Sequence, residues 1–351
     1  AALLARLEDE EEQEAVRAAA AVALSHAASR DDSKVMAEVT ACLAHKDWRL
    51  RRAALQALPR LASPSGSLVA LVLRRLRDPD DSVRAAAAAA LPPLAAVGDS
   101  TVIQALAECL EDYEGSVRAA AVPALDSAVG TASAGALAEA IAVLAARLEH
   151  ADPEVRGAAG EALGRVSRGR GAALSTAAMS CLGHPGSAIR RAALRAAALA
   201  AQQAPLLAGL EDREGGVREA AVEALALVAP RGNPVLCAEL TRCLTDSEGF
   251  VRAAATRALA RVAVPGDELA IAALVARLPD GDGHVRQVAI EALEHVAGSS
   301  CRFAVEALAL HFESDKEEIR GTALAAFRRL AERDGSAALA ALLAPLASTR
   351  A

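Results

Sequence analysis

The sequence predicts an all-α fold: an α-solenoid, or superhelix, of about ten antiparallel helix pairs. Three observations carry this. A Val-Arg dipeptide or a close variant returns ten times, at Val16-Arg17, Leu50-Arg51, Val83-Arg84, Val117-Arg118, Val155-Arg156, Ile189-Arg190, Val217-Arg218, Val251-Arg252, Val285-Arg286 and Ile319-Arg320. The steps between these arginines are 34, 33, 34, 38, 34, 28, 34, 34 and 34 residues, and a nearly fixed period of this size marks a repeat array. Apolar residues make up 53% of the 351 residues but aromatics only 2%, so the core is built from Ala, Leu and Val, whose small side chains let helices approach closely.

Residues 99–133 show how one repeat is made. Val102, Ile103, Leu106 and Leu110 form one helical stripe. Asp112 ends that helix and Glu114-Gly115 turns the chain. Val117, Ala120, Ala121 and Leu125 form the second stripe, and Gly130 stops it, where a left-handed residue is needed. Corresponding glycines stand at Gly66, Gly98, Gly169, Gly232, Gly266, Gly298 and Gly335. The predicted repeats are 1–30, 31–64, 65–98, 99–133, 134–171, 172–203, a short 204–232, 233–266, 267–299, 300–335 and a half-repeat 336–351 with Leu339, Leu342, Leu343 and Leu346. Each repeat contacts only its neighbours, so residues 1–351 read as one array rather than as separate domains.

Counted from the repeated Arg, Leu or Phe stands eight residues earlier in nine repeats, Ala three later in all ten, and Leu seven later in eight. These positions are the expected core. Six residues before the Arg stands Asp78, Asp112, Asp212, Asp246 or Asp280, and in other repeats His45, His150 or His184. A leucine-bearing helix, then Asp, then Val-Arg, then Ala and Leu resembles the HEAT-repeat motif, as in Leu76-Arg77-Asp78…Val83-Arg84 and Leu244-Thr245-Asp246…Val251-Arg252. The resemblance covers nearly the whole chain. It implies a right-handed α-solenoid in which Asp78, Arg84, Asp112, Arg118, Asp212, Arg218, Asp246, Arg252, Asp280 and Arg286 form a structural Asp/Arg ladder at the helix ends. Arg suits this task, because its planar fork can bridge a carboxylate and free helix carbonyls. His at the Asp position is expected to interact with the negative end of the first helix.

The array also departs from itself. Nine residues before the Arg, Cys42, Cys109, Cys181 and Cys243 alternate with Arg75, Arg147 and Arg277, which reads as the trace of a duplicated pair of repeats. The 38-residue step holds a small-residue loop at Gly130-Thr131-Ala132-Ser133-Ala134-Gly135, and the 28-residue step leaves a stub of a first helix from Pro205 to Leu210. A bend near residues 200–212 is expected there. Pro59, Pro92, Pro93 and Pro123 fall in second helices, where they either bend the axis or end the helix early.

Net charge is −7, so no bulk attraction to nucleic acid is expected. Six cysteines without CxxC spacing suit a reducing, intracellular compartment, cytoplasmic by default. No apolar run is long enough to insert in a membrane. The missing initiator Met and the apolar last helix suggest part of a larger chain or assembly. His45, His150 and His184 stand too far apart to share a metal, and no metal or cofactor is expected. No His-Glu dipeptide of the hydroxylase type, P-loop, GxGxxG or GxSxG occurs, so the chain reads as no enzyme. The acidic run Glu8 to Glu14 and the basic loop Arg165–Arg170 read as solvated segments. Trp48, Tyr113 and Phe250 fall in the turns between paired helices and read as covers for helix ends.

Second helices of this family line the concave surface. Positions one, five, eight and nine after the Arg should face outward there. They give a weakly charged floor of Ala85, Ala89, Pro92, Pro93, Ala119, Pro123 and Ser127. Arg52, Gln56 and Arg60 flank it on one side, and Arg165, Arg168, Arg191 and Arg195 on the other. Such a floor suits an amphipathic helix or an acidic, apolar peptide. The expectation is a non-catalytic protein-interaction scaffold with protein partners. The alternatives are a hydroxylase-like or bilin-lyase-like enzyme or cofactor-handling protein of the same fold, and a weak nucleic-acid binder through local Arg clusters.

Overall fold

The computed structural model describes residues 2–3, 6, 13–130, 133–298 and 301–333. The acidic run up to Glu12, Thr131-Ala132, Gly335 and the 336–351 half-repeat lie outside them. Among the described residues there are nineteen α-helices, one short 3-10 helix and no strand. The chain divides into two compact bodies, residues 1–200 and 201–351.

The first body begins with α1 (Glu14–Ala27), followed by the pairs α2 (Ser33–Cys42) and α3 (Trp48–Leu61), α4 (Gly66–Arg75) and α5 (Asp81–Leu94), α6 (Ser100–Glu108) and α7 (Gly115–Val129), α8 (Ala134–Leu148) and α9 (Pro153–Ser167), and α10 (Gly171–Leu182) and α11 (Ser187–Leu199). The second holds α12 (Gln203–Gly209) and α13 (Gly215–Val228), α14 (Pro234–Cys243) and α15 (Gly249–Val262), α16 (Glu268–Val275) and α17 (Gly283–Ala297), and α18 (Cys301–Phe312) and α19 (Glu317–Arg333). The division falls just before α12, the shortest of these helices at 7 residues.

Local chemistry starts or stops many of the helices. The carboxylates of Asp32, Asp47, Asp80, Asp99, Asp152, Asp267 and Asp282, and the amide oxygen of Asn233, accept N–H groups of the first turn, satisfying donors that have no partner within the helix. Pro153 and Pro234 open α9 and α14, where no N–H is needed. Gly98, Gly130, Gly169, Gly232, Gly266 and Gly298 have positive φ after second helices. Gly66 does not: it is the first residue of α4. Asp31, at φ 59°, takes the left-handed position between α1 and α2.

Ala54, Ala87, Ala121, Ala159, Ala193, Ala221, Ala255, Ala289 and Ala323, three residues after the repeated Arg, are all 0% exposed. Leu58, Leu91, Leu125, Leu225, Leu259 and Leu293 are equally buried one turn later. In the first body α1, α3, α5, α7 and α9 stack closely in a row, while α2, α4 and α6 stand further apart. That difference puts the second helices on the inner side of the curvature there. α9 and α11 touch far less than the other consecutive second helices of this body, and α8 packs against α11 instead. Pro59, Pro92, Pro93 and Pro123 lie inside α3, α5 and α7 without ending them. α3, α5 and the proline-free α15 are each 14 residues long, so early termination is not what these prolines do.

Candidate interaction surface

Where the ladder is filled, the repeated Arg at the start of a second helix does two jobs. Its Nη1 donates to two carbonyls of its own turn, as from Arg84 to Asp78 O at 3.0 Å and Pro79 O at 3.2 Å. The Nε and Nη2 edge then reaches the next repeat. Arg51 meets Asp78 at 2.8 and 2.6 Å, Arg84 meets Asp112 at 2.7 and 2.9 Å, Arg218 meets Asp246 at 2.7 and 2.7 Å, and Arg252 meets Asp280 at 2.9 and 2.7 Å. The same carboxylates accept an amide two residues on, such as Glu114 N to Asp112 at 2.9 Å, and Asp212 receives the Glu214 amide in this way. One Asp therefore closes its own turn and clamps the previous repeat.

Burial alone would raise the pKa of Asp78, Asp112, Asp246 and Asp280. The facing guanidinium and the turn amide outweigh burial and leave each below the ordinary carboxylate range. Hydrogen bonding to these carboxylates raises Arg51, Arg84, Arg218 and Arg252 in turn. Arg75 and Arg277, from the alternating position, stand 3.5 Å from Asp78 and Asp280 and add a second cation to those rungs.

Where His replaces Asp the expected contact with the first helix's negative end is not what forms. His45, His150 and His184 accept through Nδ1 the amides of Asp47, Asp152 and Gly186 at 3.0, 3.1 and 3.0 Å. The imidazole thus copies the turn-closing half of the Asp role. It cannot supply the two oxygens for the previous arginine. Arg118 turns to Glu154 instead, and Arg286, which faces Ser314 at the corresponding place, lies 3.7 Å from Glu318. A second set of rungs joins the far ends of the second helices through the backbone: Asp31 N to Leu61 O, Ser65 N to Leu94 O, Gly98 N to Ala128 O, Gly232 N to Val262 O and Gly266 N to Val296 O, at 2.6–3.1 Å. These bonds use carbonyls left unpaired at helix ends.

The outward face of the second helices carries the sequence-derived surface residues. Ala89, Pro93, Ala119, Pro123 and Ser127 are exposed, and Ala85 and Pro92 half-buried, on α5 and α7, which pack closely. Gln56, Arg60, Arg165, Arg168 and Arg195 are exposed beside them on α3, at the end of α9 and on α11. Four of the arginines are engaged within the chain. Arg52 stacks 5.4 Å over the Trp48 ring, Arg60 meets His26 Nε2 at 2.6 Å, and Arg191 donates from Nε to Glu149 at 3.0 Å. Arg165 pairs along its own helix with Glu161 at 3.1 Å. In the second body Glu219, Glu223, Arg257 and Arg261 break the face into alternating charge. The first-helix side of the first body differs. There a groove of about 860 Å³ between α4, α6 and α8 mixes Arg74 and Arg77 with Glu108 and Glu139.

Two structural residues escaped sequence reasoning. Arg170 is no solvated basic residue. It bonds Gly130 O at 2.8 Å, Asp126 at 2.8 Å and the end carbonyls of its own second helix. Gly130 and Asp126 lie 40 and 44 positions away in sequence, and no local pattern marks them. Tyr113 is 74% exposed, with Arg84 4.8 Å from its ring. Burial raises the Cys109 thiol to about 12 and those of Cys181 and Cys243 to about 11, far from the range of a reactive thiolate. Among the described residues no cluster of three or more His, Cys, Asp or Glu could hold a metal. No helix among them is long and apolar enough to cross a membrane.

A family model described as HEAT repeats matches residues 1–92, 36–126, 68–164, 141–226 and 204–294. No curated protein matches the chain. Among solved structures, a Kap121p mutant is similar at 14% identity and a TM-score of 0.53, with 98% of this chain and 43% of that one covered. An engineered protein matches at 21% identity and a TM-score of 0.36, covering 94% and 98%. A structure of Kap95p, whose binding induces the switch loops of RanGDP to adopt the GTP-bound conformation, matches at 14% identity and a TM-score of 0.40, covering 94% and 51%. The chain thus spans about half the length of these two Kap proteins.

Proposed function

The chain belongs to the HEAT-repeat family, and on that premise we propose that it is a non-catalytic scaffold that binds a protein partner along the outward face of its second helices. The observation that carries this reading is the face of α5 and α7. Ala89, Pro93, Ala119 and Pro123 are exposed there on two closely packed helices, and they offer a partner apolar contact with no charge to desolvate. Arginines stand on both sides, with Arg195 more available than Arg60, Arg165 and Arg191, which already have partners. The partner that fits is an amphipathic helix or an extended peptide with an apolar stripe and acidic flanks. Its affinity comes from the apolar contact, and the arginines set orientation and encounter rate.

Capture from an extract of the source tests this. The bait is the full chain in three forms: unchanged, with Ala89→Glu and Pro123→Glu on the proposed face, and with Leu71→Glu on the first-helix side. All three are checked for helicity by circular dichroism. A protein retained by the first and third and lost by the second supports the reading. Equal retention by all three places binding elsewhere and overturns it.

A further inference from the structure

Among the described residues, Arg156 is a ladder guanidinium whose outer edge meets no acid although the repeat that follows it is fully described. From Arg51 to Arg320 each ladder Arg is fixed first by its own turn, and for Arg156 those bonds run from Nη1 to His150 O at 2.8 Å and Ala151 O at 2.7 Å. The remaining edge, Nε and Nη2, is the one that receives a carboxylate elsewhere. The next repeat can supply that carboxylate from two places. One is the Asp six residues before its own Arg, as with Asp78, Asp112, Asp246 and Asp280. The other is a Glu two residues before it, as with Glu154 and Glu318. The repeat after Arg156 has His184 and Ala188 at those two places. His184 is committed through Nδ1 to its own turn. Arg156 is exposed, and among the described residues no carboxylate pairs with it.

We propose that Arg156 is a binding site for a carboxylate of a partner polypeptide, an Asp or Glu side chain or a C-terminus, taken bidentately on Nε and Nη2. The filled rungs supply the geometry, with two oxygens at 2.7 and 2.9 Å as Asp112 sits on Arg84. Two carbonyls already hold the fork, so little side-chain freedom remains to be lost on binding. Paired, charge-assisted bonds of this kind are the strong class of hydrogen bond. Nearby acids do not compete, because Glu154 is taken by Arg118 and Glu149 by Arg191. As a partner contact the site rests on the scaffold reading; its chemistry can be tested without any partner.

The test is a titration of the full chain, labelled with nitrogen-15 at arginine, with acetate against chloride at constant ionic strength. The Nε–H signals are followed by NMR, and the Arg156 signal is identified as the one lost in Arg156→Lys. The expected result is a saturable shift of that signal while those of Arg84, Arg218 and Arg252 stay in place. His184→Asp supplies the missing carboxylate from within the chain, at a position where five other repeats carry Asp. In that variant the Arg156 signal should already sit near its acetate-saturated position and respond no more than the exposed Arg168 and Arg195. The proposal is overturned if acetate moves Arg156 no more than Arg168, or if His184→Asp leaves the response intact. It is also overturned if inorganic phosphate saturates the shift at a lower concentration than acetate. None of these results bears on capture by the α5–α7 face, so the two readings fail separately.

Discussion

Asp78→Asn tests the ladder at its most buried rung. The side chains of Arg51 and Asp78 are 9% and 1% exposed, and their closest contact is 2.6 Å. Asparagine keeps the size, and its oxygen can still receive the Asp80 amide, bonded to Asp78 at 3.1 Å. What is lost is the charge facing Arg51 and one of the two guanidinium bonds. Removing one partner of a buried pair costs about 3–5 kcal/mol. Arg51 keeps its bonds to His45 O and Lys46 O, so the lower end, about 3 kcal/mol, is expected. Glu223→Gln is the control, because its pair with Arg257 is 60% and 46% exposed at 3.8 Å, and exposed pairs contribute only about 0–1 kcal/mol. The assay is urea unfolding at pH 7 by circular dichroism, with hydrogen exchange in α3 and α5 to localise the loss, since repeat arrays gain stability from neighbour contacts. The double variant Arg51→Met with Asp78→Asn should lose less than the sum of the singles, because no buried charge is left unpaired. A cost for Asp78→Asn no larger than that of Glu223→Gln would refute the argument.

Further outcomes follow from the same geometry. The native pKa of Asp78 is lowered, so its contribution is complete above its unfolded value of about 3.9 and is lost as pH falls through the native one. The stability gap between wild type and Asp78→Asn, measured by urea at several pH values, should therefore be constant near neutrality and close below about pH 4. Ala255→Leu puts three more carbons into a site that is 0% exposed and should cost about 1–3 kcal/mol by thermal or urea unfolding. Gly130→Ala should cost about 1–2 kcal/mol, because φ is +53° and the new methyl would stand 2.8 Å from Val97 Cγ1; Val97→Ala should recover part of the loss. Cys237, half-buried where Cys42, Cys109, Cys181 and Cys243 are buried, should react before those four with a thiol reagent at pH 8, and Cys109 only on unfolding.

The fold was legible because a repeat array writes the same physical demand many times. A single Ala three residues after an Arg says little; the same Ala in every repeat marks a site too tight for anything larger, and the structure buries these alanines completely in α3 through α19. The ladder residues were legible for the same reason. The use of His as a turn acceptor was not, because which ring nitrogen faces the amide depends on turn geometry. Arg60, Arg170 and Arg191 looked free in sequence and are engaged in the structure. Their partners sit on neighbouring repeats, and the register between helices decides who meets whom. Gly66 shared the spacing of the turn glycines, yet it opens a helix, because Ser65 N already donates to Leu94 O.

The central claim is that the outward face of the second helices is the working surface. The most direct measurement is hydrogen–deuterium exchange on the full chain, alone and with the partner captured by the unchanged bait. The account predicts slowed exchange in α5 and α7 and in the adjoining ends of α3 and α9, with α2, α4 and α6 unchanged. Protection confined to α4, α6 and α8, around the groove on the first-helix side, would contradict it.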